Sequence, residues 1–316
     1  MPNKKKATIA NFNMVFRDKE NNERPLLDYF DTVINALKTG EEIKLNGTNY
    51  MLMNVDVASI GDEDYAIVGY IVKNTTLEVL SELDENGNLV EIENKYPSAP
   101  FSFFSIYLKN HRMVFMQNQK GSPTLRNFAA IVYRYLYRYI NKINSTQLDY
   151  NVIPIPELYV VGIPMRESVI ETLKQAKKIN TLTLRFYPLN GDIDFSGMFT
   201  GMTTDLRKKV GSKSGEILLR SPQDINGIAE VLEDAGGTVN PIFEITYPDK
   251  SKTTIRDYQI SERMDMDIKG DSMQEELKDL TIKGKDFKAI SYVSKSNKQI
   301  YDNNISKVIP FVKRKY

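Results

Sequence analysis

Arginine and tyrosine recur between residues 126 and 138 at spacings that place them on one side of a helix. At 100° per residue, Arg126, Arg134 and Arg138 project in similar directions, with Tyr133 and Tyr137 beside them. A guanidinium group donates paired hydrogen bonds to phosphate oxygens, and a phenol ring stacks on a base. The pattern therefore indicates a nucleic-acid-binding face. A solvated helix face, with its tyrosines packed on neighbouring loops, is the alternative interpretation.

The flanking sequence predicts the rigid unit that these side chains need, from residue 98 to residue 142. Two runs rich in aromatic and branched residues, SFFSIYL and MVFMQ, predict strands joined by a turn at KNHR. Ser122 is a suitable N-cap and Pro123 suits the first helical position, so we expect a helix from there to about Ile140. The apolar side chains expected to face the core are Leu125, Phe128, Ala129, Val132, Leu136 and Ile140.

Charge is distributed unevenly along the chain, although its net charge is only +1. Residues 101–150 contain seven Lys and Arg against one acid, whereas residues 1–100 contain 17 acids against ten basic residues. A local basic surplus in a neutral chain favours a localised anionic partner. We therefore add the basic residues in and around the predicted helix to the candidate contacts: Lys109, Arg112, Lys120 and Lys142.

A second basic cluster follows the predicted helix start at Thr203-Thr204. It consists of Arg207, Lys208 and Lys209, with Lys213 close behind. These side chains suit phosphate contacts, assisted by backbone N–H groups at the helix start. An exposed helix end, where cations complement the helix dipole, explains them equally well.

Few residues are suited to catalysis or to holding a metal. His111 is the only histidine, and its KNHRM turn predicts a solvent-facing position or a secondary phosphate contact. Two acid pairs, Asp192 with Asp194 and Asp265 with Asp267, lack a lysine at nuclease spacing and are interpreted as solvated acids. There is no cysteine and no glycine-rich phosphate loop. We therefore expect no catalytic residue, no metal and no cofactor.

The sequence also predicts the cellular compartment of the protein. No apolar run approaches the roughly 20 residues of a membrane span, and the basic start lacks the apolar stretch of a signal peptide. Together with the absence of cysteine, this predicts a cytoplasmic protein without direct membrane insertion.

The order of predicted elements gives an α+β chain of three units. Residues 1–148 form a unit on an antiparallel sheet, with hairpin turns at Asn46-Gly47 and at residues 84–88. Residues 152–268 follow the order strand–helix–strand, inserted helix, strand–helix–strand, which is a ferredoxin-like split βαβ pattern with an insertion. Residues 269–316 form a short basic C-terminal unit.

A succession of short patches resembles two related groups of phage-defence proteins. It comprises PSAPF before the aromatic strand, then GSPTLRNF, LRFYP, DLRKK and the late strand TTIRDYQI followed by SER. This order resembles the RexA family of phage-exclusion proteins and, more loosely, the KwaB family of the Kiwa defence system. The resemblance implies a dimeric, sequence-nonspecific DNA-binding protein that senses phage replication and acts with a membrane-protein partner. It also implies DNA contacts at Arg126 and Arg207–Lys209.

The sequence therefore predicts a non-enzymatic protein of antiphage defence that binds nucleic acid, most readily duplex DNA. A metal-dependent nuclease or toxin and a protein-interaction sensor that uses the acidic N-terminal region are the alternatives. We also expect a homodimer, because residues 253–260 alternate apolar and polar side chains at a predicted sheet edge that a second copy would cover.

Overall fold

The computed structural model describes residues 4–146, 152–191, 201–261 and 263–316, with residues 202–204 as backbone only. The strands are β1 (Lys4–Arg17), β2 (Glu23–Pro25), β3 (Ile43–Leu45), β4 (Thr48–Ser59), β5 (Tyr65–Leu83), β6 (Leu89–Ser98), β7 (Phe101–Tyr107), β8 (Arg112–Gln117), β9 (Glu157–Gly162), β10 (Lys178–Phe186), β11 (Gly215–Arg220), β12 (Val239–Thr246), β13 (Lys252–Arg256), β14 (Arg263–Asp267) and β15 (Val312–Lys315). The helices are α1 (Phe30–Leu37), α2 (Leu125–Asn144), α3 (Arg166–Lys174), α4 (Arg207–Lys209, after a π-helical segment Gly201–Leu206), α5 (Ile225–Ala235), α6 (Asp257–Ile260), α7 (Met273–Lys285), α8 (Lys288–Ser291) and α9 (Lys295–Val308). The fold is mixed α+β, as predicted.

Strand β1 is the hub of a large sheet to which eleven of the described strands belong. The sheet runs in the order β14-β1-β8-β7-β5-β4-β15, with β2 and β9 also beside β1, β3 beside β4 and β6 beside β5. Ala10 and Asn11 pair with β8 on one side and with β9 on the other, so β9 and β14 share the edge opposite β8. The first strand therefore holds together segments from both ends of the chain.

Two of the predicted hairpins lie within the body of this sheet, and both form. Asn46 and Gly47 adopt positive φ angles of 49° and 82° between β3 and β4, as a tight two-residue hairpin turn requires. The KNHR turn joins β7 to β8, and these strands pair from Ser102 opposite Gln117 to Tyr107 opposite Arg112. Local turn chemistry thus set the register of these strands.

Helices cover both faces of the large sheet. On one face, α1, α2 and α9 enclose a core in which Phe128 lies 4.8 Å from Phe104 and 6.2 Å from Phe12, between ring centroids. On the other face, α7 and α8 pack over Ile9, whose side chain points away from that of Phe12. The residues predicted as a separate C-terminal unit belong to this fold, because α7 and α9 complete the two cores and β15 pairs in parallel with β4.

A smaller antiparallel sheet has the order β11-β10-β12-β13 and carries α3 and α5 on one face. Leu182, Leu184 and Phe186 point into its core, as their alternation predicts. The predicted β-α-β start of a ferredoxin-like unit does not form, because β9 pairs with residues 10–15 of β1 in the large sheet. β8 and β14 leave that edge of β1 unpaired, and β9 satisfies its backbone groups.

One hairpin extends beyond the large sheet, and we call residues 74–98 the arm. β5 pairs with β7 as far as Val72 and with β4 as far as Asn74. From Thr75 it pairs with β6 alone, up to the predicted turn at residues 84–88. Leu77 is opposite Tyr96 and Leu83 is opposite Leu89, so these four side chains share one face of the arm. Leu83 and Leu89 are 68% and 74% exposed. The arm therefore presents an apolar face to solvent.

Candidate nucleic-acid interface

Helix α2 begins at a reciprocal cap between Thr124 and Asn127. The Thr124 hydroxyl accepts from the Asn127 backbone N–H, and the Asn127 side-chain oxygen accepts from the Thr124 backbone N–H at 2.9 Å. Ser122, the predicted N-cap, is buried in the preceding turn, where its hydroxyl accepts from the Gln119 N–H. The helix therefore starts at Leu125 and continues to Asn144, one turn beyond the predicted end.

The inner face of α2 fixes the orientation of the outer face. Leu125, Phe128, Val132, Leu136 and Ile140 are buried, as the helical periodicity predicts. The hydroxyl of Tyr135 donates to the Glu41 carbonyl and accepts from the Leu52 N–H, and burial raises the pKa of this tyrosine. The helix cannot rotate about its axis without breaking these contacts.

The outer face of α2 exposes the predicted combination of cations and aromatic rings. Tyr133 and Tyr137 are 41% and 50% exposed, with ring centroids 6.2 Å apart and ring planes inclined by 29°. Arg134 donates from Nη1 to the Lys44 carbonyl, which anchors its side chain against β3. The cations exposed along this face are Arg126, Arg134, Arg138 and Lys142, and we call them, with Tyr133 and Tyr137, the α2 face.

The positive charge of the α2 face is largely uncompensated. Within the described residues, none of its four cations lies within 4 Å of a carboxylate. Arg126 lies 6.0 Å from the ring centroid of Tyr258, a cation–π contact that leaves its hydrogen-bond donors available. Glu41 shares a groove with Arg138 and Lys142, and Asp257 lies close enough to Arg126 for the two charges to interact. The arrangement suits phosphate groups along the helix axis.

Two cations of the predicted interface do not join the α2 face. Arg112 is only 4% exposed and donates from Nη1 to the Gly236 carbonyl at 2.6 Å, so its assignment as a surface phosphate contact is wrong. Lys109 lies 3.7 Å from Asp64, which also pairs with Lys285, so Lys109 belongs to an ion-pair cluster separate from the α2 face. Lys120 is exposed in the turn that precedes α2.

The second basic cluster divides into buried and exposed parts. Arg207 is 3% exposed, and its Nη1 lies 2.6 Å from Glu23, so this predicted contact is also wrong. It is buried because α4 packs against β2, where Glu23 also pairs with Arg17. The exposed members are Lys208, Lys209 and Lys213, and no ion pair joins them to a described acid.

The residues considered for catalysis remain apart. His111, expected to face solvent, is fully buried with φ of 57° in the turn before β8. Asp265 and Asp267 lie on β14, whereas Asp192 and Asp194 lie outside the described residues. The described part of the chain contains no group of three His, Asp or Glu placed to hold a metal ion.

Sequence reasoning missed several participants in this region. Tyr258 contacts Arg126 from α6, and the Lys44 carbonyl anchors Arg134, but both are distant in sequence from α2. The apolar face of the arm was visible as alternation in LEVLSEL and LVEIE, but such alternation does not reveal that the facing surface is solvent.

Comparison with known proteins leaves the chain without an assigned family. No protein-family model matches it, and no curated protein is significantly similar to it. Among the described helices, none combines the length and apolar character required to cross a bilayer.

Proposed function

We propose that this protein binds duplex DNA through phosphate contacts on the α2 face, without marked sequence preference. The observation that carries the proposal is a row of exposed cations, none of them ion-paired to an acid in the described part of the chain, on a helix whose rotation is fixed by its buried face. Each cation that neutralises a phosphate releases counterions, which supplies affinity on any sequence.

The dimensions of the helix support several simultaneous phosphate contacts. Arg126 and Arg138 are twelve residues apart, which corresponds to about 18 Å along the helix axis. Phosphates of one strand rise about 3.4 Å per nucleotide along the duplex axis. A helix laid along a groove edge therefore meets several phosphates. Tyr133 and Tyr137 add flat faces on which an unpaired base would stack.

The test compares binding by fluorescence anisotropy on two unrelated duplexes and one single strand over a range of salt concentrations. Replacement of Arg134 and Arg138 by Ala should weaken binding equally on both duplexes and reduce the salt slope by about two units. The matched control replaces Lys178 and Lys252, exposed lysines on the small sheet, with the same loss of two charges. If both double variants bind alike, the α2 face is only a solvated helix surface.

The same experiment separates duplex from single-strand recognition. Replacement of Tyr133 and Tyr137 by Leu removes stacking but keeps every charge. Loss of binding to the single strand alone would assign the tyrosines to unpaired bases, at about 1–3 kcal/mol for each base stacked. Equal loss of affinity for the duplex and for the single strand would mean that the tyrosines shape the protein surface that contacts phosphates and do not stack on bases.

We place this DNA binding in antiphage defence because the order of short patches resembles the RexA and KwaB families. The prediction is that cells expressing the chain plate phage less efficiently than cells expressing the Arg134→Ala/Arg138→Ala variant. Coexpression with candidate membrane-protein partners tests the expected partner. Equal plating by the parent and the variant would separate DNA binding from any defence role.

A second proposal concerns assembly: the arm joins two copies of the chain in a homodimer. Leu77, Leu83, Leu89 and Tyr96 lie on one face together with Glu91, which is opposite Ser81, whereas Leu80 and the acids Glu78 and Glu82 lie on the other face. A two-fold axis brings the same face of two copies together, buries the apolar side chains and leaves Glu78 and Glu82 in solvent. An isolated two-stranded hairpin is marginally stable in water, so a partner would also stabilise the arm.

Light scattering tests this arrangement. The parent should give twice the 36.2 kDa mass of one chain, and the Leu83→Ser/Leu89→Ser variant should give the monomer mass. The matched control is Leu80→Ser, because Leu80 is 64% exposed on the opposite face of the same arm. A dimer that persists in the double variant would indicate that the interface is at β13 and not at the arm. β13 lies at a sheet edge, as predicted for residues 253–256.

A further inference from the structure

A cleft of about 810 Å³ lies where the large sheet meets the small one, away from the residues of the α2 face. Its walls come from the start of β8, the segment that joins β9 to α3, the end of α5, and α8. Ile163, Met165 and Ala289 give it an apolar lining. Clefts of this size between structural units are frequent binding sites for small molecules.

The walls of the cleft are held by the turn before β8. Asn110 donates from its side-chain nitrogen to the carbonyls of Ile290 and Tyr292, which fixes the wall made by α8. Arg112 donates to the Gly236 carbonyl at the left-handed end of α5, which fixes the opposite wall. Because these contacts are internal to the protein, the cleft is formed before any ligand arrives.

Arg112 is the buried charge of this cleft. It is 96% enclosed, and no described carboxylate lies within ion-pair distance of it. Its bond to Gly236 uses Nη1 alone, and its other guanidinium N–H groups donate to no described residue. Burial of a cation without an anionic partner is costly, so a bound anion would stabilise this position.

The N-terminal end of α3 provides a second feature that would stabilise an anion in this cleft. Met165 occupies the N-cap position and has no side-chain oxygen, so no side chain caps the helix. The first backbone N–H groups of α3, from Arg166 onward, therefore remain available as donors, and the helix dipole places partial positive charge there. Residues 164–167 line the cleft together with Arg112. Two independent sources of positive potential thus converge on one apolar cavity.

We propose that this cleft binds a small organic anion with a single acidic head group: a carboxylate or phosphate head on Arg112 and the start of α3, with an apolar or aromatic body against Ile163, Met165 and Ala289. The lining also carries three exposed acids, Glu167, Glu233 and Asp234. With Arg112, the cations Arg166 and Lys288 only equal them in number, so the cleft has no surplus of positive charge for a polyanion such as DNA. The half-exposed ring of Tyr292 completes the mouth of the cleft. This site is independent of DNA binding on the α2 face.

Three probes with one shared body test the proposal: 1-naphthyl phosphate, 1-naphthoate and the neutral 1-naphthalenemethanol. The chain has no Trp, so naphthalene fluorescence is readily followed against its tyrosines. At least one anion should bind more tightly than the neutral probe, and the comparison of phosphate with carboxylate identifies the preferred head. If none of the probes binds, or if the neutral probe binds as tightly as both anions, the proposal is overturned.

Two variants locate the binding. Arg112→Met should weaken the anions by about tenfold or more while leaving the neutral probe nearly unchanged. Since Arg112 also holds Gly236, Ala289→Phe provides a second variant that fills part of the cleft, adds no Trp fluorescence and leaves the arginine in place; it should abolish binding of all three probes. Thermal melting verifies that each variant is folded. Anion binding that persists in Ala289→Phe places the probe elsewhere and overturns the assignment.

Discussion

Nη1 of Arg207 lies 2.6 Å from Oε1 of Glu23, and the two side chains are only 2% and 12% exposed. The same carboxylate pairs with Arg17, which also lies 3.4 Å from Glu157. Two cations and two carboxylates thus form a network that joins β1, β2, β9 and the start of α4. Breaking a buried ion pair is destabilising, because removal of one partner leaves the charge of the other buried and uncompensated.

Arg207→Ala should therefore destabilise the protein by about 3–5 kcal/mol without changing its affinity for DNA. Urea denaturation measures the first quantity, and anisotropy under conditions where the variant is folded measures the second. Lys208→Ala is the matched control, since this neighbour is exposed and its loss should change stability by about 0.5 kcal/mol or less. If the Arg207→Ala variant is as stable as the parent but binds DNA more weakly, Arg207 contributes to the DNA interface.

The second prediction concerns the packing of α7 against the large sheet. The hydroxyl of Tyr107 donates to the Thr281 carbonyl at 2.7 Å, and a methyl group on Gly284 would overlap that hydroxyl. Gly284→Ala should cost about 1–3 kcal/mol by overpacking, and Tyr107→Phe about 1 kcal/mol through the lost hydrogen bond.

The double variant provides the decisive measurement for this contact. Removal of the Tyr107 oxygen makes room for part of the added methyl, so Gly284→Ala/Tyr107→Phe should be less destabilised than the sum of the single variants. Urea denaturation of the four proteins gives the coupling energy. Additive losses would mean that the methyl is accommodated by a shift of α7 instead.

Some of these features were predictable because they depend on neighbours in sequence. The α2 face follows from 3.6-residue periodicity, and the turn at Asn46-Gly47 follows from residues that tolerate positive φ. The helix start was misplaced by two residues because Ser122 and Thr124 are both suitable caps. The reciprocal bond to Asn127 decides between them.

Other features depend on partners that are distant in sequence. Nothing local distinguishes Arg207 from Lys208, but only the arginine reaches Glu23. Arg112 is likewise buried where it donates to the distant Gly236 carbonyl. β9 lies in the large sheet because it pairs with an edge of β1 that would otherwise be unpaired. Charge counting along the chain therefore locates basic segments but does not separate surface cations from buried ones.

The third prediction tests the start of α2. Thr124→Ala removes the hydroxyl that accepts from Asn127 and should cost about 1 kcal/mol, measured by urea denaturation. Thr124→Ser keeps that acceptor and should restore most of the loss. If Thr124→Ser is as unstable as Thr124→Ala, the methyl group rather than the hydroxyl matters at this position.

The last prediction is a pH dependence at the junction of β9 and α6. One carboxylate oxygen of Asp257 accepts from the Gly162 N–H at 2.9 Å. Burial raises the pKa of Asp257 above its ordinary 3.8, against the opposing effects of that hydrogen bond and of nearby Arg126. At pH values between 3.8 and the folded-state pKa, the folded protein therefore holds a proton that the unfolded chain has lost. This contribution to stability is present below pH 3.8 and disappears as the pH rises through the folded-state pKa.

Asp257→Asn isolates this effect, because an amide oxygen can still accept from Gly162 and carries no charge at any pH. The variant should be at least as stable as the parent at neutral pH, and its advantage should shrink as the pH falls toward 3.8. Urea denaturation at a series of pH values measures the difference. An Asp257→Asn protein that is less stable than the parent at neutral pH, by an amount that grows as the pH rises, would show that attraction to Arg126 outweighs the cost of burying the carboxylate.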